Sequence, residues 1–315
     1  MLNNLVETKG LVKYFQTKAG VVHAVENVDI SIAPGQTLGV VGESGCGKTT
    51  LGRCLLKLIP PTSGQVFFEG KEILTASRSE RKILKQQMQI IFQDPYSSLD
   101  PRKTVFKLIA EPLIVNRLCK NRQEMQDRIC AIMETVGLST RYANSYPHEL
   151  DGGRCQRIGV ARAMVMNPKF VVCDEPVAAL DVSIQAQILN LMMDVQDDTD
   201  VGYMFITHDL SVVRHISHSI AVMYLGEVIE LTSKEKLFAN PAHPYTKALL
   251  AALPVPDVSR RHKERHLIKG EISSPIDPKP GCRFAPRCPY VGAECLEPQK
   301  MKEIAPGHMA RCCNL

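Results

Sequence analysis

One stretch of this sequence, residues 42–49, follows the pattern G-x-x-x-x-G-K-[ST] and constrains the fold more than any other. Before it, the apolar run Thr37–Val41 is typical of a strand buried in a parallel sheet. After it, residues 50–56 predict the first turns of a helix. A glycine-rich loop between such elements directs backbone N–H groups and a helix N-terminus at one point. The sequence therefore predicts an α/β fold that binds anions at this loop.

The types of residue in this phosphate loop, residues 42–49, indicate which anion it binds. Glycines let the backbone approach a phosphate closely, Lys48 can reach the outer phosphates of a nucleotide, and the Thr49 hydroxyl can ligate Mg²⁺. We therefore expect a nucleoside triphosphate. The residues predicted to bind it are Gly42, Glu43, Ser44, Gly45, Cys46, Gly47, Lys48, Thr49 and Thr50.

Composition narrows the class of protein. With 315 residues, 44% of them hydrophobic, the chain can bury a large α/β core and carry a smaller appendage. A net charge of +5 from 38 basic and 33 acidic residues does not favour nucleic acid as a partner. The N-terminus does not resemble an export signal, and no run of about eighteen apolar residues occurs. We expect a cytosolic protein that does not span the membrane.

The pattern of apolar residues predicts the organisation of the chain. Residues 5–13 and 21–32 favour an antiparallel sheet, and residues 94–165 favour a helical insertion. The core then resumes at Phe170 and continues through a helix at 183–196, a strand at 203–207, a helix at 210–216 and a strand at 220–224. The predicted domains are a nucleotide-binding domain at 1–250, a Pro-rich and basic linker at 251–281, and a Cys-rich extension at 282–315.

Two carboxylates follow the apolar strand that starts at Phe170. Asp174 and Glu175 lie where ligands bind in open α/β folds, at the carboxyl ends of parallel strands. Asp174 is suited to the shell of a Mg²⁺ ion, and Glu175 is placed to polarise an attacking water. The alternative is two solvated acids at a strand end.

Six motifs follow one another along the chain: the phosphate loop, Gln93 in Ile91–Pro95, residues 150–157, Asp174-Glu175, Ala179-Leu180-Asp181 and Thr207-His208-Asp209. Their order resembles that of ABC-transporter ATPases over about residues 1–250. The resemblance implies a P-loop NTPase fold with a RecA-like core, an N-terminal antiparallel β-subdomain and an inserted helical subdomain. It implies that Gln93 contacts Mg²⁺ and a membrane subunit, and that His208 holds the γ-phosphate and the water. Phe15 resembles the aromatic that stacks on adenine, with Tyr14 as the alternative.

One motif departs from the family pattern. The signature segment, residues 150–154, reads Leu-Asp-Gly-Gly-Arg where the family usually has Leu-Ser-Gly-Gly-Gln. In the family, this segment (here Asp151, Gly152 and Gly153) acts on ATP bound by the opposite protomer, and an ionised Asp151 cannot donate a hydrogen bond to that phosphate. At about 4 Å and an effective dielectric of about 20, the repulsion is on the order of 4 kcal/mol. Asp151 also suits the N-cap of a helix starting at Gly152. We therefore expect an intact fold, an impaired composite site and an asymmetric heterodimer with an unlike ATPase subunit.

The C-terminal region resembles that of ATPases from dipeptide, oligopeptide and nickel importers over residues 240–315, on the motifs at 240–247 and 281–289. Its cysteines Cys282, Cys288, Cys295 and Cys312 are spaced C-x5-C-x6-C-x16-C, with Cys313 as the alternative to Cys312. Four thiolates can hold zinc or a [4Fe–4S] cluster. The long spacings disfavour zinc, and the resemblance favours the cluster in a structural or regulatory role. Unmetallated thiols are the third reading.

These observations predict an ATP-hydrolysing subunit of an importer for di- or oligopeptides, with nickel as the alternative substrate. The resemblance implies two transmembrane permease subunits, an extracytoplasmic substrate-binding protein and a place on the cytoplasmic face of the membrane. Two rivals are a soluble ABC-type ATPase acting on DNA or ribosomes and a catalytically weak regulatory subunit. The single cassette without sustained heptads disfavours the first, and Asp151 keeps the second open.

Overall fold

The computed structural model describes residues 4–253, 270 and 274–315, so most of the predicted linker lies outside the described residues. The strands are β1 (Val6–Thr17), β2 (Gly20–Val28), β3 (Ser31–Ile32), β4 (Thr37–Val41), β5 (Ser63–Phe68), β6 (Lys71–Glu72), β7 (Met88–Ile91), β8 (Phe170–Asp174), β9 (Gly202–Thr207), β10 (Ser219–Tyr224), β11 (Glu227–Ser233), β12 (Lys302–Ala305) and β13 (His308–Ala310). The α-helices are α1 (Lys48–Leu55), α2 (Arg78–Gln87), α3 (Val105–Asn116), α4 (Arg122–Thr135), α5 (Gly152–Met164), α6 (Val182–Thr199), α7 (Leu210–Ile216), α8 (Lys234–Ala239) and α9 (Pro244–Ala251).

The chain divides into two compact units, of which the first comprises Met1–Val6, Ser31–Gln36 and Phe67–Phe205. Within it, β7 runs parallel to β8, and β9 lies on the other side of β8. All five residues of β8 are buried, as expected for a strand covered on both faces. Helices α3, α4 and α5 pack against one another through buried apolar residues such as Ile109, Met133 and Val160. This is the helical insertion that the sequence predicts.

The second unit comprises Glu7–Ile30, Thr37–Val66 and Ile206–Leu315. It contains the antiparallel pair β1 and β2, with β5 next to β1 in the same sheet, and the parallel pair β4 and β10. Strand β10 continues into an antiparallel series of β11, β13 and β12, so the C-terminal hairpin extends the sheet edge of this unit. The phosphate loop and the Cys-rich extension, residues 282–315, therefore belong to the same compact unit.

A cluster of buried apolar residues explains why the extension joins this unit. Phe284 packs with Tyr224 of β10 and Tyr245 of α9, and all three side chains are almost completely buried. Each pair of these rings meets at an edge-on angle, with centroids 4.7–5.4 Å apart. Burying three aromatic rings in one cluster contributes several kcal/mol by area. Through Phe284, the extension thus contributes to the hydrophobic core of this unit.

None of the helices within the described ranges is long and apolar enough to cross a membrane.

Candidate functional site

The phosphate loop has the predicted position after a buried strand and before a helix. It follows β4, all of whose residues are buried, and it leads into α1 at Lys48. The N-cap of α1 is Gly47, with φ of 104° and no side chain to cap the helix. The first backbone N–H groups of α1 therefore have no capping side chain, which is the arrangement that receives a phosphate group.

Lys48 and two glycines fix the shape of this loop. The Lys48 side chain is buried, and its Nζ donates to the carbonyl oxygens of Gly42 at 2.8 Å and Glu43 at 2.9 Å. A Cβ at position 42 would lie 2.2 Å from the Met223 carbonyl oxygen. A Cβ at position 47 would lie 2.0 Å from that of Ala24, so both positions require glycine on space alone.

Of the two aromatics predicted at the adenine, Tyr14 and Phe15 have different surroundings. The Tyr14 hydroxyl donates to Glu26 at 2.6 Å, and the Tyr14 ring packs against His23 with centroids 4.0 Å apart. Burial and the Glu26 carboxylate raise the pKa of Tyr14 to about 12. The Phe15 side chain is 36% exposed, and the Lys13 ammonium lies over its ring. Tyr14 thus has a structural role, and the stacking of Phe15 on adenine stays a prediction.

In the first unit, the acidic strand end brings two predicted residues together. Gln93, two residues after β7, donates through Nε2 to Oε2 of Glu175 at 3.1 Å. Asp174 ends β8 and is only 4% exposed. Glu175 follows it with φ of 48°, a left-handed conformation that is uncommon for a residue other than glycine and is often found at functional sites. Because β7 and β8 are parallel neighbours, their carboxyl ends share one edge, as the sequence predicts.

His208 lies in the second unit at the junction between β9 and α7. Its side chain is exposed, whereas its neighbour Thr207 is buried and accepts a hydrogen bond from the Asp209 N–H at 3.1 Å. Asp209 in turn caps α7 by accepting from the Ser211 N–H at 2.8 Å. The turn that presents His208 is therefore held from both sides.

The signature segment confirms the predicted cap. Asp151 is the N-cap of α5, and its carboxylate accepts from the Arg154 N–H at 2.8 Å. The Arg154 guanidinium also pairs with the same carboxylate and lies over the Tyr142 ring. The two residues that depart from the family pattern therefore neutralise each other. A Cβ at Gly153 would lie 2.7 Å from Cγ2 of Ile184, so this glycine is needed for the packing of α5.

The cysteines of the extension lie near one another. Cys295 and Cys312 are buried, and the sulfur atoms of Cys295 and Cys313 are 3.3 Å apart. Burial, with a contribution from Cys295 and Cys312, raises the pKa of Cys282 to about 11 and raises that of Cys288. Within residues 4–253, 270 and 274–315, however, no three or more His, Cys, Asp or Glu side chains are arranged to hold a metal ion. The predicted ligands Cys282, Cys288, Cys295 and Cys312 find no support in this geometry.

Sequence reasoning missed the side chains that reach the phosphate loop from the C-terminal region. Tyr245 Oη accepts from the Glu43 N–H at 3.0 Å, and Arg287 donates to both carboxylate oxygens of Glu43 at 2.9 and 3.1 Å. Arg283 pairs with Glu26 at 2.8 Å. The separation along the chain, more than 200 residues, gives no local pattern. The only available signal was the pair of arginines between Cys282 and Cys288.

Comparisons with known proteins agree with this geometry. Residues 25–178 match the family described as ABC transporter, and residues 229–295 match the oligopeptide/dipeptide transporter C-terminal region. The oligopeptide transport ATP-binding protein AppF of Bacillus subtilis is 46% identical over 321 residues, covering 98% of this chain and 96% of AppF. OppF of Salmonella typhimurium, another oligopeptide transport ATP-binding protein, is 45% identical over 318 residues, covering 98% and 95%.

A solved structure shares the cassette fold. The dimeric, post-hydrolysis ATP-binding cassette MJ0796, bound to ADP and Pi, has a TM-score of 0.67 and 28% identity, covering 73% of this chain and 98% of that one. A phosphate loop, an acidic strand end and full-length similarity to these relatives lead to one assignment. The chain belongs to the family of ABC-transporter ATPases that carry the oligopeptide/dipeptide transporter C-terminal region.

Proposed function

We propose that this chain is the ATP-hydrolysing subunit that powers import of di- or oligopeptides through a membrane ABC transporter. The main support is that this chain has both a phosphate loop and a segment that matches the C-terminal region of oligopeptide/dipeptide transporters. Its partners are two transmembrane permease subunits and an extracytoplasmic substrate-binding protein, and it works on the cytoplasmic face of the membrane.

In this proposal the residues of the ATP site have separate tasks. Lys48 and the backbone of the phosphate loop bind the phosphates, and Phe15 stacks on adenine. Glu175 polarises the attacking water, and His208 holds the γ-phosphate. The hydrogen bond from Gln93 to Glu175 supports this reading, since it orients the carboxylate that would act as the base.

Mg²⁺ fits the residues assigned to it. Thr49, Gln93 and Asp174 offer a hydroxyl, an amide and a carboxylate oxygen, the hard ligands that Mg²⁺ prefers. Gln93 uses its Nε2 on Glu175, so the amide oxygen is the branch that remains for a ligand. When bound, Mg²⁺ would neutralise charge on the phosphates.

The experiment for this function is reconstitution of the chain with its permeases and binding protein in vesicles. We expect ATP hydrolysis to rise several-fold on addition of an oligopeptide and to remain at the basal rate with Ni²⁺ alone. Stimulation by Ni²⁺ and not by peptides would favour the nickel alternative. Hydrolysis that neither substrate changes would favour the regulatory alternative.

We also propose that this subunit pairs with an unlike ATPase subunit. The support is the signature segment, in which Asp151 cannot donate to a phosphate held by Gly152 and Gly153 of the same segment. The ion pair with Arg154 weakens the repulsion that Asp151 alone would exert on a phosphate. The proposed difference between the two ATP sites therefore depends more on the missing hydroxyl donor than on charge. If the purified chain alone hydrolysed ATP as fast as its full complex, the heterodimer would be wrong.

A [4Fe–4S] cluster on Cys282, Cys288, Cys295 and Cys312 is the third proposal, with zinc as its alternative. Its support is the C-x5-C-x6-C-x16-C spacing of the four cysteines and the match of residues 229–295 to the oligopeptide/dipeptide transporter C-terminal region. The cluster would supply cross-links within the extension. Iron, sulfide and zinc analysis of anaerobically purified protein tests it, and a colourless protein with one zinc would contradict it.

A further inference from the structure

Glu43, the second residue of the phosphate loop, is bound on three sides. Its N–H donates to Tyr245 Oη at 3.0 Å, and its carbonyl accepts from Lys48 Nζ at 2.9 Å. Its carboxylate accepts two hydrogen bonds from the Arg287 guanidinium, Nη1 at 2.9 Å and Nη2 at 3.1 Å. Two of these three partners come from the C-terminal region of the chain.

The Arg287 side chain is itself held in place. It is only 7% exposed, and its Nη1 also donates to Tyr224 Oη at 3.3 Å. Arg287 ends a short 3₁₀ helix, Ala285–Arg287, that directly follows Phe284 of the three-ring cluster. Arg283, on the other side of Phe284, binds the Leu225 carbonyl oxygen and Glu26. The guanidinium therefore reaches Glu43 from a fixed backbone.

Tyr245 is fixed in the same way. Its side chain is completely buried between Tyr224 and Phe284, and its hydroxyl faces the loop. Burial, followed by the Glu43 carboxylate, raises its pKa well above the usual value, so the hydroxyl keeps its proton, and an oxygen lone pair accepts from the Glu43 N–H. The loop backbone is thereby tied to the core of its own unit.

The charge of Glu43 makes the Arg287 pair important. A carboxylate within a loop that binds a triphosphate repels the ligand unless a cation neutralises it. An arginine that binds both carboxylate oxygens neutralises the charge in a fixed geometry. The attraction between the two charges is stronger where water has little access. The hydrogen bonds to Glu43 are also the largest cause that raises the pKa of Arg287 further above its usual range.

We propose that Arg287 is a positioning residue for ATP binding, which neutralises Glu43 and holds the phosphate loop in the conformation that receives the triphosphate. The C-terminal region is then a working part of the ATP site. The inference rests on the assignment of this loop to ATP.

Equilibrium binding of ATP to the full-length chain tests the inference. Arg287→Gln removes the cation and leaves Glu43 charged, so the Kd for ATP rises at least about tenfold. Arg287→Lys keeps the charge without the fork and gives an intermediate Kd. The double variant Glu43→Gln/Arg287→Gln has no carboxylate to neutralise, so its Kd returns to within about threefold of that of Glu43→Gln alone.

Arg311→Gln is the matched control. Arg311 is also an arginine of the extension, 11% exposed, but its guanidinium pairs with a carboxylate outside the loop, Glu227, at 3.1 Å. We expect the Kd of Arg311→Gln for ATP to equal that of the unaltered chain. Thermal unfolding of every variant shows whether it is folded at the temperature of the titration.

Three results are decisive. Unchanged ATP affinity in folded Arg287→Gln would overturn the inference. So would a double variant that binds as weakly as Arg287→Gln, because rescue by Glu43→Gln distinguishes positioning from general stabilisation. Absence of ATP binding by the unaltered chain would instead overturn the proposed function.

Discussion

The phosphate loop and the signature segment both contain glycines and both lead into a helix, yet their side chains are held in different ways. In the phosphate loop, Lys48 is 5% exposed and Glu43 is held by residues more than 200 positions away. In the signature segment, Asp151 and Arg154 are 57% and 42% exposed and bind each other across three residues.

The difference corresponds to the two tasks proposed for these loops. A loop that binds ATP for its own chain is fixed by the core of its own unit. A segment that acts on a partner's ATP stays on the surface and satisfies its polar groups locally. Local satisfaction also explains how two departures from the family pattern are tolerated, since the cap and the charge balance are both preserved.

The largest expected effect concerns Glu175, the residue proposed to activate the attacking water. Glu175→Gln removes the base but keeps the shape and the hydrogen-bonding partner of Gln93, so hydrolysis in the assembled complex falls at least about 100-fold while the Kd for ATP changes less than about threefold. Glu134→Gln, at an exposed position of α4, is the control and retains turnover. Unchanged turnover in Glu175→Gln would remove Glu175 from catalysis.

A second prediction concerns the rigidity of the phosphate loop. Gly47→Ala places a Cβ 2.0 Å from the Ala24 carbonyl oxygen at a residue with φ of 104°, so ATP binding weakens at least about tenfold and stability falls by about 1–3 kcal/mol. Gly159→Ala, in α5 with nothing within 4 Å of its Cβ, is neutral or stabilising by up to about 1 kcal/mol. Urea unfolding and ATP titration measure both, and normal ATP binding by Gly47→Ala would contradict the packing argument.

A third prediction concerns the pH dependence of the region that anchors the loop. His243 caps α9, the helix of Tyr245, by accepting from the Tyr245 N–H at 3.1 Å, and burial lowers its pKa to about 4. The unfolded chain binds this proton near the ordinary pKa of about 6.5, so the folded state loses stability as pH falls from about 6.5 to 4, by up to about 3 kcal/mol.

Substitution of His243 isolates this effect. In His243→Asn the cap is kept but nothing titrates, so this part of the pH slope disappears in urea unfolding between pH 7 and 4. An identical pH slope in the two proteins would show that His243 is not buried as a neutral ring.

The smallest expected effect concerns the signature segment. Asp151→Ser with Arg154→Gln restores the hydroxyl donor, and ATP turnover of the assembled complex rises about two- to fivefold, whereas stability changes by less than about 0.5 kcal/mol because Ser and Asp cap helices equally well. Arg154→Gln alone leaves Asp151 unpaired and lowers turnover. No change in either variant would mean that this segment does not limit hydrolysis.

Local sequence patterns predicted the elements that surround the site. Strand β4 and helix α7 have the predicted ends, and strands β9 and β10 agree to within one residue. These elements have strong apolar patterns in the sequence. Helix α2 was missed because none of its residues is buried, although Ser77 and Glu80 form a capping box that the sequence contains.

Local sequence patterns could not predict contacts between distant parts of the chain. The pairing of β11 with β13 and the contacts of Tyr245 and Arg287 with Glu43 depend on tertiary packing. The sequence suggested a separate Cys-rich appendage, whereas Phe284 is part of the core cluster of the phosphate-loop unit. The ion pair of Asp151 with Arg154 was accessible in principle, since the two residues lie on adjacent turns at a helix start.

The central claim is that this chain contains a functional ATP site of its own at residues 42–49. Calorimetric titration of the full-length chain with MgATP, beside Lys48→Ala, tests it most directly. We predict one ATP bound per unaltered chain and a Kd at least about 100-fold higher for Lys48→Ala, since this variant loses the buried ammonium that binds two carbonyl oxygens of the loop. Equal affinity in the two proteins would contradict the claim.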